Sequence, residues 1–315
     1  MVRVVALDEI RSLVDLPRAR QAIAEGFIAY SRGDALVPEV GELAFTNPPG
    51  EAHVKMGYIT GDPVFVIKIA TGFYHNAHHN LPTQDGALLV HRRETGELAC
   101  ILLDRGWLTD LRTALAGALV AERLAPSRVD RIGVIGTGTQ ARLQVTCLPD
   151  MVSCRNLKVW AHSTSGADRY SKEMAAQGYR VQIVTGQPEF ADCQLVITTT
   201  PAASPLLHTV EPGTHVTCVG TDSPTKNEVS PAVFARADLV VADSLTQCLT
   251  RGDLRHAIAA GVLTAADVVE LGSLLDGDIR RDNDTDITVA DLTGLAVQDV
   301  RMASHVMSEL NKEES

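Results

Sequence analysis

Three polar residues stand where apolar ones are expected, and each is of a type that handles anions or protons. Lys68 interrupts the run VFVIKIATGF, Arg112 stands near the start of TDLRTALAGALVAERL, and Asp222 follows the apolar run HVTCVG in VGTDSPTKNEV. A lysine among residues that read as buried on both faces needs a partner, because charged side chains are rarely buried unpaired. A bound carboxylate would serve; an outward-facing lysine on a half-buried strand is the plainer alternative. Arg112 falls in the first turn of its predicted helix, where the dipole disfavours cations. An anion held bidentately would compensate, as would a surface salt bridge to Asp110 or Asp104. Asp222 lies at the carboxyl end of a strand, where open α/β sheets collect their ligands. A carboxylate there can act as general acid or base toward an amine, or can cap the turn before Ser-Pro.

The second constellation is a glycine loop. RIGVIGTGTQARLQ sets Gly136, Thr137, Gly138, Thr139, Gln140 and Ala141 in a GxGxxA pattern between a strand and a helix. In that setting the first glycine permits the tight turn and the second lets backbone approach a pyrophosphate. The alanine allows close helix packing, and the helix N-terminus attracts the anion. NAD or NADP is the expected cofactor, with Val219 and Gly220 assigned to the same site. About twenty residues on, an NAD-selective site carries Asp or Glu for the ribose hydroxyls. Here NLKVWAHSTS offers His162, Ser163 and Thr164 instead. Without the carboxylate's repulsion a 2′-phosphate is tolerated and the hydroxyls can donate to it, but no arginine stands by to clamp it. The balance leans slightly to NADP.

These residues need a scaffold. A helix capped by Asp15, with Pro17 in its first turn and Gly33 as its stop, would bury Ile23, Phe27 and Tyr30. HVKMGYI, VFVIKIATGFY, GALLVHR and LACILLD are short, β-rich and separated by turn signals, and so predict a meander of strands, with PEVGELAFTNPPGEAH as pocket loops. From Pro126 the pattern alternates strand and helix through RIGVIG, LKVWA, RVQIV, QLVITTT, HVTCVG and ADLVVAD, the signature of a doubly wound parallel sheet. The expected fold is α/β. An N-terminal substrate-binding and dimerisation domain spans 1–125, a Rossmann-type domain 126–281, and a return segment 282–315 whose helix packs back on the first domain.

Composition narrows the function classes. The 315 residues exceed one ordinary core. The net charge of −11, the absence of a basic run and 4 % aromatics argue against a nucleic-acid partner, which needs clustered cations and stacking platforms. No apolar run approaches the roughly 18 residues that span a bilayer, and the acids within MVRVVALDEIRSLVDLP argue against a secretory signal. Six cysteines without CxxC spacing read as thiols in a reducing cytoplasm. FYHNAHHN groups His75, His78 and His79, but with no remote ligand pair it reads as a loop, and no metal is expected. Cys218 reads as strand packing.

Taken in order, VFVIKIATGFY, LPTQDGALLV with the following TGEL, LTDLRTALAGALVA, IGTGTQAR, GTDSPTKNEV and LTGLAVQDV make the chain resemble, over nearly its whole length, the ornithine cyclodeaminase and μ-crystallin family. The resemblance implies a homodimer acting on a small amino or imino acid. By residue it implies Lys68 and Arg112 on the substrate carboxylate, Thr83 near the nicotinamide, and Asp222 as general acid/base, the aspartate that the crystallin branch lacks. The implied reaction is cyclodeamination of a diamino acid such as ornithine to a cyclic imino acid such as proline, with ammonia release. Alternatives are a ketimine or cyclic imine reductase, an amino-acid dehydrogenase, or a non-catalytic crystallin-like binder. Two positions depart from the family pattern: VPEVGEL puts Glu39 near a usual arginine, and Val54 stands where ornithine-specific members carry a glutamate.

Overall fold

The computed structural model describes residues 2–79, 81–277 and 279–313. In chain order the elements begin β1 (Arg3–Ala6), α1 (Leu7–Leu13), α2 (Leu16–Ser31), β2 (Ala35–Leu36), β3 (Gly41–Thr46), β4 (Pro49–Ile59) and β5 (Val64–Gly72). There follow β6 (Gln84–Arg92), β7 (Leu98–Leu103), α3 (Trp107–Leu124), β8 (Ile132–Ile135), α4 (Thr139–Thr146), β9 (Asn156–Trp160), α5 (Thr164–Ala176) and β10 (Arg180–Val184). Next come β11 (Leu195–Thr198), β12 (His215–Cys218), α6 (Pro231–Phe234), β13 (Leu239–Ala242), α7 (Leu245–Cys248) and α8 (Leu254–Ala259). The chain closes with β14 (Val268–Glu270), α9 (Leu271–Asp276), β15 (Thr288–Asp291) and α10 (Ala296–Glu313). Two compact units emerge: residues 1–112 with 295–315, and residues 113–294.

The first unit is a seven-stranded sheet in the order β1-β7-β6-β5-β4-β2, with β3 paired to β4. Among the described residues of this sheet, β1 and β7 alone run parallel. Strand alternation sends Lys55, Gly57 and Ile59 of β4 and Val64, Val66 and Lys68 of β5 to an inner face. There α10 packs against β4 and β5 and lies beside α2. Asp15 caps α2 by accepting from the Arg18 amide at 3.0 Å, and Ile23 and Phe27 are fully buried. The stretch expected as pocket loop contains β3, which forms a hairpin with β4. Every residue of β3 is exposed, so its side chains lack the alternation that marks a half-buried strand.

The second unit is an eight-stranded sheet in the order β10-β9-β8-β11-β12-β15-β13-β14, every pair parallel. The order reverses beside β8, the kind of switch point where such sheets bind ligands. The domain boundaries differ from those expected. Residues 282–294 belong here, because β15 pairs with both β12 and β13; its TVAD sequence is too short and too polar to read as a central strand. The other boundary falls inside α3. Gln144 Nε2 donates to the Thr113 carbonyl at 3.0 Å and Arg281 Nε to the Leu124 carbonyl at 2.7 Å, tying the later turns of α3 to this unit.

Candidate active site

In the first unit Lys68 and Arg112 meet at one carboxylate. Lys68, 2 % exposed, donates from Nζ to Asp299 Oδ1 at 3.1 Å, and Arg112 Nε lies 3.0 Å from the same oxygen. Arg112 Nη1 also donates to Gln298 Oε1 at 2.6 Å, and Gln298 Nε2 returns a bond to the Arg112 carbonyl at 2.9 Å. Both partners come from the first turn of α10. Lys68 is therefore not the outward-facing lysine of the plainer alternative, and the ion pair of Arg112 is buried and made with Asp299 rather than Asp110 or Asp104. Because α3 starts at Trp107, Arg112 lies in its second turn, and burial rather than the dipole accounts for its need of an anion. Asp104 instead caps that helix, accepting from the Leu108 amide at 2.8 Å.

The cluster is rich in cations. Lys55, also buried, sits directly across the β4–β5 ladder from Lys68. Burial, then the Arg112 guanidinium, push Lys68 down to about 8 against the pull of Asp299. Burial also works against the Asp299 carboxylate, but Arg112, Lys68 and Lys55 together outweigh it and hold its pKa below the ordinary range. Thr83 is not part of this group. It precedes β6 at the end remote from Leu88, the partner of Lys68, and its carbonyl accepts from the Phe73 amide at 2.8 Å.

In the second unit the glycine loop follows β8. Gly136 adopts φ +116°, and a side chain there would meet Thr199 Oγ1 at 2.5 Å, so only glycine fits. Gly138 has open space where a Cβ would be and caps α4, while Ala141 is fully buried. A cavity of about 610 Å³ opens along this loop, lined by Thr137, Gly138, Thr139, Arg142, Gly166 and Arg169 among others. The tight turn, the open approach and the helix N-terminus fit the pyrophosphate of a dinucleotide. Ser163 caps α5 by accepting from the Gly166 amide at 3.2 Å, Thr164 opens that helix, and His162 precedes the cap. Arg142 and Arg169 both line the cavity, in the early turns of α4 and α5. Arg142 Nη1 donates to the Thr137 and Gly138 carbonyls at 2.6 and 2.8 Å, and its Nε pairs with Glu173.

The loop after β12 is pinned from below. The Val219 amide donates to the Thr198 carbonyl at 3.0 Å and the Gly220 amide to Glu228 Oε2 at 2.8 Å. Glu228 also accepts from Thr198 Oγ1 at 2.9 Å, the Thr200 amide at 2.5 Å and Thr200 Oγ1 at 2.8 Å, so one buried carboxyl group joins the ends of β11 and β12. Burial, then the neighbouring Asp253 carboxylate, raise Glu228 to about 8. Any side chain on Gly220 would run into Thr200 and Glu228. Asp222 sits above this support with its side chain 41 % exposed. Lys226 Nζ donates to Asp222 Oδ1 at 2.5 Å, and Arg251 Nη1 donates to its carbonyl at 3.1 Å. The carboxylate thus has an ammonium partner rather than the Asx cap that was its plainer alternative. His75 and His79 lie in a 3-10 turn, the His78 side chain is outside the described residues, and no metal-holding group of His, Cys, Asp and Glu occurs among the described residues.

The model of the ornithine cyclodeaminase/mu-crystallin family matches residues 2–314. The chain belongs to that family. An uncharacterized cyclodeaminase of Sinorhizobium fredii is 37 % identical over 311 residues, covering 96 % of this chain and 94 % of that protein. Alanine dehydrogenase of Archaeoglobus fulgidus is 30 % identical over 303 residues, covering 95 % and 92 %. The solved structure of an archaeal alanine dehydrogenase dimer with bound NAD aligns at TM-score 0.88 and 27 % identity, covering 100 % of this chain and 97 % of that one. Within this family member, sequence reasoning passed over residues in each unit: Lys55 and Asp299 beside Lys68 and Gln298 on Arg112 in the first, and Glu228, which holds Gly220, with Asp253 in the second. The signal for Lys55 was available, since a lysine at an inward position of HVKMGYI breaks the same pattern as Lys68.

Proposed function

We propose that this family member is an NAD(P)-dependent enzyme acting on a small α-amino or α-imino acid. The buried Lys68 and Arg112, which share a single aspartate oxygen, carry this reading: two cations in a dry environment with one anion between them favour a second carboxylate. Lys68 and Arg112 hold the substrate's α-carboxylate. Asp222 accepts a proton from the α-amine as it becomes an imine, and returns it in the reverse direction. A bound nicotinamide dinucleotide supplies hydride exchange at Cα. For a diamino acid, attack of the distal amine on the imine carbon with loss of ammonia completes a redox-neutral cyclodeamination. One observation favours the second reading, a net imine reductase or amino-acid dehydrogenase: Val54 stands where ornithine-specific members of the family carry a glutamate for the distal amine. The deciding experiment incubates cofactor-freed protein with amino acids and oxidised cofactor, and with imines and reduced cofactor, while following nicotinamide absorbance and ammonia. Ammonia from a diamino acid without net cofactor change means cyclodeamination, steady oxidation of reduced cofactor means reduction, and neither outcome would leave a binder.

The acid-free cofactor loop with Arg142 and Arg169 in its cavity supports NADP, and NAD in the archaeal relative supports NAD; cofactor titration ranks them. The six free cysteines accord with a cytoplasmic setting, and no described helix is long and apolar enough to cross a membrane. Substrate KM is expected to rise above pH 8. An amine of pKa about 8 is charged at pH 7 and loses its proton as pH climbs through that value, taking the carboxylate ligand with it. A KM that stays flat from pH 7 to 9.5 would remove Lys68 from the carboxylate site.

A homodimer is the assembly we infer, and the outer face of the first unit's sheet supports it. Met56, Ile67, Leu89, Ile101 and Val4 stand in register across five strands, with Met56 and Val4 38 % and 52 % exposed. A row of this kind suits a second copy of the same face. Light scattering is expected to give twice the chain mass, and Leu89→Arg to shift it toward the monomer; a monomeric wild type contradicts the pairing.

A further inference from the structure

Gln298 is the third residue of α10, the position from which Gln or Glu reaches back to cap a helix start. Its Oε1 does accept from the Leu295 amide at 3.1 Å, and by sequence alone its part would end there. The same oxygen also accepts from Arg112 Nη1 at 2.6 Å, while Nε2 donates to the Arg112 carbonyl at 2.9 Å. A flipped amide would set its NH2 against two donors, so the three bonds together fix one orientation of the side chain. Both residues are buried, and water does not compete for these bonds.

Asp299, the next residue, acts on Arg112 in another way. Arg112 Nε lies 3.0 Å from Asp299 Oδ1, yet the two are not aligned for a hydrogen bond. The oxygen takes its hydrogen bond from Lys68 Nζ instead. Asp299 thus supplies counter-charge, which acts without regard to angle, and Gln298 supplies the directed bond that sets where the guanidinium points. That the clamp is an amide matters. A carboxylate in its place would hold the guanidinium more strongly, but would cancel charge that one shared aspartate leaves to a substrate.

We propose that Gln298 is a positioning residue, which aims the Arg112 guanidinium at the substrate's α-carboxylate and, being neutral, leaves its charge unspent. The inference rests on the reading of Arg112 as a carboxylate ligand. With Nη1 held by Gln298 and Nε facing Asp299, Nη2 is the nitrogen that these two α10 residues leave to the substrate.

Two substitutions separate this role from helix capping. Gln298→Glu keeps an acceptor for the Leu295 amide and adds a charge beside Arg112; Gln298→Met keeps the length and removes both polar atoms. Pyruvate and propionate serve as carboxylate probes, titrated by calorimetry into the full chain at constant ionic strength, with Arg112→Met as control and dinucleotide binding as the check that each variant is folded. Half-saturating pyruvate is expected to rise at least about tenfold in both Gln298 variants, the scale of a lost hydrogen bond to a charged group, with dinucleotide affinity at the wild-type level. With a turned-over substrate the change falls on KM and leaves kcat in place. Unchanged pyruvate binding in Gln298→Glu, with Arg112→Met losing it, reduces Gln298 to a helix cap and overturns the inference while the carboxylate reading stands. Binding that survives Arg112→Met, or a wild type that binds neither probe, removes the carboxylate reading and the inference with it. Where Gln298→Glu or Arg112→Met fails to fold, Gln298→Met and Arg112→Lys decide by the same comparison.

Discussion

Asp299→Asn is expected to destabilise the protein by about 3 kcal/mol, the scale on which removing one partner from a buried ion pair acts. The reason is the arithmetic of charge in the first unit. Asp299 is the anion that Lys68 and Arg112 share at 3.1 and 3.0 Å, with Lys55 beside them. Asparagine keeps the shape and can still accept a hydrogen bond, but it leaves the cations without their counter-charge. The pH dependence has a definite sign. The pKa of Asp299 is depressed in the folded state, so its contribution is complete above the unfolded value of about 3.9 and is lost as pH falls through the folded value. Lys68 behaves oppositely to a paired surface lysine. Its folded pKa of about 8 lies below the ordinary 10.5, so the unfolded chain holds more protons between those values and stability rises with pH across that window. Urea unfolding of wild type and variant at pH 7 measures the loss of the counter-charge, and of wild type at pH 7 and pH 9.5 the Lys68 effect. A loss under about 1 kcal/mol at pH 7 would mean that Asp299 does not balance the cluster.

Asp222→Asn should lower kcat by roughly 10²- to 10⁴-fold, the range contributed by a positioned acid or base, while the dinucleotide still binds. Asparagine preserves the loop because the fold does not depend on this carboxylate. Gly220 is held by Glu228, and Glu228 by Thr198, Thr200 and, through its backbone, Asp253. The lost pair with Lys226 is partly exposed, so stability should change by no more than about 1 kcal/mol. Fluorescence titration of the cofactor and nicotinamide absorbance separate binding from turnover. A variant that keeps more than about a tenth of wild-type kcat would show that the amine proton goes elsewhere.

Much of the architecture is legible in the residues because its causes are local. The GxGxxA loop declares itself because a positive φ at Gly136 and the close packing of Ala141 are demands met within six residues. The Asp15 cap and the Gly33 stop of α2 are likewise set by their immediate neighbours. Lys68 was conspicuous because a strand has period two and the pattern was broken. Its partner was not, because Asp299 lies 231 residues away on α10 and sits among residues that read as an ordinary helix turn.

Periodicity states which face of an element is buried and leaves open which distant side chain it meets. That limit explains the other gaps. β15 is four residues long, and only its pairing with β12 and β13 makes it a central strand. Arg142 and Arg169 come to the cavity along the glycine loop because two helices start at the same edge of the sheet. By itself the sequence determined the local elements, the glycine loop and the candidates Lys68, Arg112 and Asp222. The tertiary structure decided how the charges balance, which residues support Asp222, and that Lys55 joins Lys68, because charge balance depends on distances between residues remote in the chain.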